Sequence, residues 1–270
     1  MKFLRLLKQA AKLWLHKGSE QHAAALAYFT PFALTPLLLI SITLVGVIIG
    51  RADVIALLLR WGAMIDQALP EFMSASVASF ELMTMGYTIP LFALVFLSGM
   101  VLFALNSVSS SLQDIWGIER YGFKNLLRRS GRSILFVFLF QGYLVVTIIS
   151  NSIFAKAAAN SGFVIFNPLS SLIFFVSTTL LIAIGYGLLP LQAPKFRARL
   201  YGAMVATVLF LFTRTLVALH VATSPAPDIY GAAGLIFVLL IWIYMSACII
   251  YYGAAFTKVY QESLPYKLTK

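Results

Sequence analysis

Arg214 is a basic residue inside a long apolar stretch of the sequence. A guanidinium there costs at least about 2.5–3.5 kcal/mol to place in lipid, and such residues usually face a cavity or a partner. Its fork of donors matches phosphate and carboxylate groups. We predict an anion or lipid-phosphate site at Arg214. The alternative is a side chain that extends to the outer headgroups or pairs with an outside carboxylate such as Asp228 or Asp53.

Polar side chains recur at spacings of three and four in the apolar stretch at about 89–112. One more polar side chain lies in the following apolar stretch, at about 133–155. They either line a cavity open to the cytoplasm or make the interhelical hydrogen bonds that are common in membrane bundles. As candidate substrate-binding residues we take Asn106, Ser110 and Gln141. Asp114, at the inner end of this stripe, is expected to pair with Arg128 or Arg129.

Two prolines fall inside the first apolar stretch, at Pro31 and Pro36. Each removes a backbone donor and crowds the preceding turn, so the helix should kink or open there. Thr30 and Thr35 can supply hydrogen bonds to the freed carbonyls. Because broken helices near mid-membrane often mark transporter sites, both threonines join the candidate substrate-binding residues. A merely kinked helix is the alternative interpretation.

Residues suited to catalysis or metal binding are sparse. The three histidines have no neighbour at metal-ligand spacing, and four of the nine carboxylates lie together at about residues 50–88. No phosphate-binding glycine loop or nucleophile elbow is present. We therefore predict no catalytic residue, no metal, no cofactor and no nucleic-acid partner.

The composition identifies the elements that must position these side chains. Of 270 residues, 61% are hydrophobic and 11% are charged, against about 25% charged in soluble domains. Such a chain predicts an all-α polytopic membrane protein, because lipid satisfies no backbone polar group. Stretches of about 20 apolar residues mark six transmembrane helices, at about 24–49, 89–112, 133–155, 168–190, 200–221 and 232–257.

The charges between these stretches set the orientation. Sixteen Lys and Arg residues lie on one side and three on the other, with Arg214 inside a span. The basic side includes the loop between the second and third spans, which carries Lys124, Arg128, Arg129 and Arg132. By the positive-inside rule, both termini lie in the cytoplasm and the protein is a multi-pass protein of the inner membrane.

The N-terminal segment carries basic residues on one helical face and apolar residues on the opposite face. This pattern predicts an amphipathic helix over 1–20 that lies on the anionic inner leaflet. The residues expected to anchor it at the membrane surface are Lys2, Arg5, Lys8 and Lys12. A gating or partner-docking helix is the alternative.

Three parts follow from these patterns. Residues 1–20 form the interfacial helix, 21–260 the six-helix transmembrane domain, and 261–270 a cytoplasmic tail. The segment at about 50–88 is predicted to form short interfacial helices on the outer side. Gly231, Gly234, Ser246 and Gly253 are most simply sites of close helix packing.

Four motifs in order resemble the YihY/BrkB family of membrane proteins. They are residues 23–40 (AAALAYFTPFALTPLLLI), 112–118 (LQDIWGI), 187–190 (GLLP) and 230–246 (YGAAGLIFVLLIWIYMS), the last followed by Gly253 and Ala254. The resemblance implies six helices with both termini inside. Family members often carry Glu where this chain has Ala255, which argues against a proton-carrying carboxylate at that position. The resemblance also brings the family's old ribonuclease label, which the absence of catalytic motifs disfavours.

Together these features predict a transporter or export factor for an anionic or amphipathic substrate, a lipid among the candidates. A non-transporting scaffold that organises envelope partners or anionic lipid is the alternative. The expected partners are anionic inner-leaflet lipids and the substrate itself, and the sequence leaves a homo-oligomer open.

Overall fold

The computed structural model describes residues 2–33, 91–118, 123–161, 166–223 and 232–264. Within these ranges every regular element is a helix and no strand occurs. In chain order the helices are α1 (Lys2–His16), α2 (19–33), α3 (Leu91–Trp116), α4 (Phe123–Ser161), α5 (Phe166–Leu188), α6 (Phe196–Thr223) and α7 (Ala232–Ser263). The all-α prediction is confirmed for this part of the chain.

Four of these helices contain stretches long and apolar enough to cross a membrane. The stretches are Ser130–Thr147, Ser171–Leu188, Phe196–Leu216 and Leu239–Ser263. They coincide with the predicted third to sixth spans, and α3 covers the predicted second span. The first span is described only as far as residue 33. Thr35, Pro36 and the segment at about 50–88 lie outside the described residues.

The helices α3 to α7 form a closed ring in which each packs against the next and α7 returns to α3. The helix α1 packs on the outside of this ring, against α7. Side chains such as Leu112, Ile115, Tyr186 and Phe256 fill the centre and are almost completely buried. The ring therefore brings residues of α3 together with residues more than a hundred positions later.

At the crossing of α6 and α7 two helix backbones approach closely. A Cβ on Gly253 would lie 2.8 Å from the carbonyl oxygen of Gly202 and 2.7 Å from Cβ of Ala206. A Cβ on Gly202 would collide with the Thr257 hydroxyl. Small residues allow two backbones to approach this closely. The predicted packing role of Gly253 is therefore confirmed.

One end of the bundle gathers the ends of six helices, and we call it the basic end. It contains the C-terminal ends of α3, α5 and α7, the N-terminal ends of α4 and α6, and α1. Contacts between these ends include Trp116 Nε1 with the Ala254 carbonyl, 2.9 Å, and the Lys195 backbone N–H with Gln261 Oε1, 2.8 Å. Most of the basic residues that predicted the orientation are at this end.

Two glycines end helices at the basic end. Gly117 has a φ of 71° and closes α3, with Ile118 N–H donating to the Gln113 carbonyl at 2.9 Å. This is a Schellman motif, which requires a left-handed residue and so favours glycine. Gly18, with a φ of 58°, turns the chain from α1 into α2 in the same conformation.

Three boundaries differ from the sequence-based predictions. The interfacial helix predicted over 1–20 ends at His16, because the chain turns at Gly18 into α2. The helix α4 begins at Phe123, so Lys124, Arg128, Arg129 and Arg132 belong to its first turns rather than to a loop. The helix α7 continues to Ser263, so the predicted tail at 261–270 begins as helix. Both α4 and α7 extend past the apolar stretch because their ends pack against other helices, which hydropathy does not report.

Candidate functional site

The predicted anion site, Arg214, lies on the surface shared by α5 and α6. Its side chain is exposed, and its guanidinium carbon stands over the Phe174 ring at 5.6 Å from the centroid. A guanidinium over an aromatic face is held by the ring's negative charge density while its N–H donors stay free to bind at the edge. Arg214 is therefore oriented by α5 and open to the surroundings of the bundle.

The position of Arg214 along α6 places it near the end opposite the basic end. It lies 18 residues after Phe196, which is about 27 Å at 1.5 Å per residue. A hydrocarbon core is about 30 Å thick, so this depth matches the headgroup boundary of the far leaflet. Exposed apolar side chains surround it, among them Phe212, Leu216 and Leu172.

The polar stripe of α3 is used mainly in contacts between helices. Ser109 donates to the Leu189 carbonyl at 2.7 Å, and Gln113 Nε2 donates to Ser109 Oγ at 3.1 Å. Asn106 Oδ1 accepts from Ser133 Oγ of α4 at 3.4 Å. The stripe thus joins α3 to α4 and α5.

The remaining predicted candidates on α3 and α4 lie away from Arg214. Ser110 is half-buried on α3 and Gln141 is 8% exposed on α4. Thr178 of α5 shares a 2.8 Å hydrogen bond with Tyr143 of α4. The structure therefore separates a polar interior between α3, α4 and α5 from the exposed Arg214 on α5 and α6.

The helix α2 continues through Pro31 to residue 33. The Thr30 hydroxyl donates to the Leu26 carbonyl of its own helix at 2.6 Å. The Thr30 hydroxyl thus adds a hydrogen bond to the helix in the turn before Pro31, which has no backbone N–H to donate.

The amphipathic helix α1 packs its apolar face on α7. The Tyr252 hydroxyl donates to the Leu7 carbonyl at 3.0 Å, and the Phe3 ring meets the Phe256 ring edge-on at 5.8 Å. Ala10 is completely buried, whereas Arg5, Lys8 and Lys12 are exposed. The apolar face predicted for lipid is therefore covered largely by protein, and the basic face remains available to anionic headgroups.

We expect α1 to stay on α7 when salt screens its charges, because the contact is apolar and hydrogen-bonded. The variant Leu7→Cys/Tyr252→Cys, with Cys248→Ser, should be joined by a short thiol crosslinker equally well at low and high salt. Mass spectrometry of the joined peptides gives the yield. Leu7→Cys paired with Phe212→Cys at the far end is the control and should not crosslink. A yield that falls steeply with salt would mean that lipid charge alone holds α1.

Two basic residues that were counted only for orientation bind the ends of helices. Arg132 Nη1 donates to the Pro190 carbonyl at 2.7 Å and to the Leu191 carbonyl at 3.1 Å. Lys258 Nζ lies 3.4 Å from the Ile115 carbonyl near the end of α3. Cations at helix C-termini satisfy carbonyls that lack an intrahelical partner. The Gly-Leu-Leu-Pro and Trp-Gly motifs mark the helix ends that they bind.

A histidine–carboxylate contact between α2 and α3 was not expected from the sequence. His22 Nε2 lies 3.8 Å from Asp114 Oδ2. The two residues are far apart in the chain, and no spacing rule relates them. The pairing of Asp114 with Arg128 or Arg129 stays a prediction.

A cleft of about 200 Å³ opens at the basic end, beside the Trp116 indole and Pro194. Lys258 and Gln261 line it, but Lys258 is directed to a carbonyl of α3 and Gln261 accepts from the Lys195 backbone. Of the predicted substrate-binding residues that the structure describes (Arg214, Asn106, Ser110, Gln141 and Thr30), none borders this cleft.

Comparisons with known proteins agree with the membrane architecture. A family model described as "Virulence factor BrkB" matches residues 10–270. A "UPF0761 membrane protein" of Alteromonas mediterranea is 27% identical over 87% of this chain and 80% of its own length. One of Alcanivorax borkumensis is 26% identical over 91% of this chain and 58% of its own length.

A third similar protein, a "UPF0761 membrane protein" of Psychromonas ingrahamii, is 39% identical over 36% of this chain and 33% of its own length. The chain thus spans less than two thirds of the length of several of these relatives. No solved structure matches the chain.

Proposed function

Because the chain belongs to the virulence factor BrkB family of membrane proteins, we propose that it is an inner-membrane transporter or export factor for an anionic amphipathic substrate. A phospholipid has the required chemistry, and both termini would lie in the cytoplasm. The names of the family and of these relatives state no enzymatic activity, and we propose none for this chain.

The observation that carries the proposal is the exposed Arg214 guanidinium held over the Phe174 ring. A guanidinium at the headgroup boundary of the membrane is in position to bind an anion from the lipid. Lipid phosphate provides that anion, and two parallel N–H donors of the guanidinium can bind two of its oxygens.

The same surface suits the acyl chains of such a substrate. From Phe174 toward the basic end, α5 exposes Val176, Leu180 and Ile184, which are 37% exposed or more. On α6 the exposed Val208 and Phe212 run beside them. If the phosphate binds Arg214, the acyl chains of the substrate would lie along an apolar path between α5 and α6, as an amphipathic substrate requires.

The purified full chain is expected to retain phosphatidylglycerol in preference to phosphatidylcholine when measured by native mass spectrometry. Arg214→Gln should lower the retained phosphatidylglycerol about tenfold, because charge-assisted hydrogen bonds are lost. Arg214→Lys should be intermediate, since it keeps the charge and loses the fork.

Thr215→Val is the matched control, because the neighbouring Thr215 hydroxyl already donates to its own helix at Leu211, 3.1 Å. It should retain lipid as the unaltered chain does. Equal retention by the Gln, Lys and control variants would show that Arg214 only extends to the headgroups, and the anion site would be wrong.

A scaffold that organises anionic lipid or envelope partners is the second candidate. It is favoured by α1, whose basic residues Arg5, Lys8 and Lys12 are exposed while its apolar face is fixed on α7. Each basic residue near an anionic leaflet contributes about 1 kcal/mol of attraction. A helix held rigidly by the bundle would present this charge at a constant position, which suits a docking surface.

A further inference from the structure

Three helices meet around His22 at the basic end. His22 of α2 and Asp114 of α3 approach to 3.8 Å, and their side chains are 34% and 35% exposed. The His22 ring also stands edge-on to the Tyr251 ring of α7, with centroids 6.4 Å apart and planes at 71°. A change of charge on the imidazole therefore acts on contacts with both neighbouring helices.

A second carboxylate of α2, Glu20, lies two residues before His22. Its Oε2 is buried and accepts no hydrogen bond from the described residues. Positions two apart on a helix do not face each other, so Glu20 is a charge on the neighbouring face of α2 and not a contact of His22.

Tyr251 supplies a polar group from α7. Its side chain is 0% exposed, and within the described part of the chain its hydroxyl has no hydrogen-bond partner of normal geometry. Ser111, one turn before Asp114, is close enough to interact with it. Tyr251 therefore places a buried polar side chain of α7 beside the His22 ring.

The charged and titratable groups around His22 limit the kind of ligand that can bind there. On α2 these groups include Glu20, on α3 Asp114, and on α7 Tyr251, Tyr244 and Cys248. Arg5, Lys8 and Lys12 of α1 are exposed, and Lys17 is half-buried in the turn before α2. Among the described residues, no three His, Cys, Asp or Glu side chains come close enough to hold a metal ion. An imidazole beside one carboxylate is suited to a proton.

We propose that His22 and Asp114, with Tyr251 behind them, form a proton-binding site that joins α2 to α3 and α7. A proton from water at the basic end adds to the His22 imidazole, and the imidazolium then pairs with the Asp114 carboxylate. An ordinary histidine changes charge between about pH 6 and 7. Pairing with Asp114 favours the protonated imidazole, so the contact is strongest at low pH and is lost as pH rises through the titration of the paired His22. This inference does not depend on the lipid site at Arg214.

The single cysteine of the chain, Cys248, offers a direct readout because it is half-buried on α7 near this site. The full chain in nanodiscs is treated with a maleimide between pH 5.5 and 8.5, and the labelling rate is compared with that of His22→Gln. Dividing the two rates removes the pH dependence of the thiol reaction itself. We expect the unaltered chain to label about threefold more slowly than His22→Gln at low pH and equally fast at high pH. His16→Gln, at the exposed end of α1, is the control and should follow the unaltered chain.

A second measurement tests the pair itself. In the full chain with ¹³C-labelled histidine, the NMR signal lost in His22→Gln reports the titration of His22. We expect Asp114→Asn to move that titration to lower pH by about half a unit or more, because the attracting carboxylate is removed. An unchanged His22 titration in Asp114→Asn would overturn the site. If Asp114→Asn does not fold, the maleimide experiment decides alone. A ratio of the labelling rates of the unaltered chain and His22→Gln that does not change with pH would overturn the proposal.

Discussion

Gly253→Ala is expected to lower the stability of the folded chain by about 1–3 kcal/mol, and Gly253→Leu to prevent its accumulation. The added Cβ would lie 2.6 Å from the Tyr186 hydroxyl oxygen, 2.7 Å from Ala206 Cβ and 2.8 Å from the Gly202 carbonyl oxygen. Two of these atoms belong to the facing helix α6, so the helices must separate. Separation also strains the hydrogen bond that Tyr186 donates to the Ile250 carbonyl.

The effect can be measured by heating the solubilised protein with a fluorophore that reacts with Cys248 as the chain unfolds. Gly142→Ala in α4 is the matched control, because a Cβ there meets nothing within 4 Å. That substitution should be neutral or stabilising, since alanine favours helix over glycine by about 0.5–1 kcal/mol. If both alanine variants melt together, the close crossing of α6 and α7 is not what stabilises the ring.

Arg132→Gln is expected to cost about 1.5–3 kcal/mol, the range for hydrogen bonds to a charged group. Arg132 donates to two carbonyls, of Pro190 and Leu191, that follow the end of α5. Without the Arg132 guanidinium, the connection between α5 and α6 is no longer hydrogen-bonded to α4. The same heating experiment measures the change, and Arg132→Lys should recover only part of it because one ammonium replaces a planar fork.

Arg197→Gln is the control for this substitution. It removes the same charge from the same end of the bundle, but Arg197 is exposed. It should change stability by no more than about 0.5 kcal/mol, as most exposed substitutions do. Equal losses in Arg132→Gln and Arg197→Gln would indicate a general effect of charge instead of a bond to the α5 end.

The sequence predicts most of the helices because lipid leaves the backbone no alternative. Runs of apolar residues therefore locate the apolar parts of α3 to α7, although α4 begins at Phe123 rather than at about 133, and the spacing of Lys and Arg in α1 identifies its two faces. The packing role of Gly253 is likewise predictable, since a glycine in a span has few other uses. Each of these features depends on a single segment of the chain, and a sequence pattern describes one segment at a time.

Features that depend on two distant segments were not predictable. Periodicity gives α1 an apolar face, but it does not say whether lipid or α7 covers that face. A count of positive charges treats Arg132 and Arg197 alike, although one binds carbonyls and the other is exposed. The pair of His22 and Asp114 arises only when α2 packs beside α3. For the candidate site, the sequence identified Arg214 but not Phe174, the ring that orients it.

The contact between α1 and α7 also sets an order of events during biosynthesis. Leu7 and Tyr252 are separated by 245 positions, so α1 is synthesised long before α7 and finds this partner only when α7 has been made. Until then the apolar face of α1 must rest on the bilayer surface or on a chaperone. A nascent chain stalled before α7 would keep that face uncovered, and quality-control proteases could distinguish it from the finished protein by this helix alone.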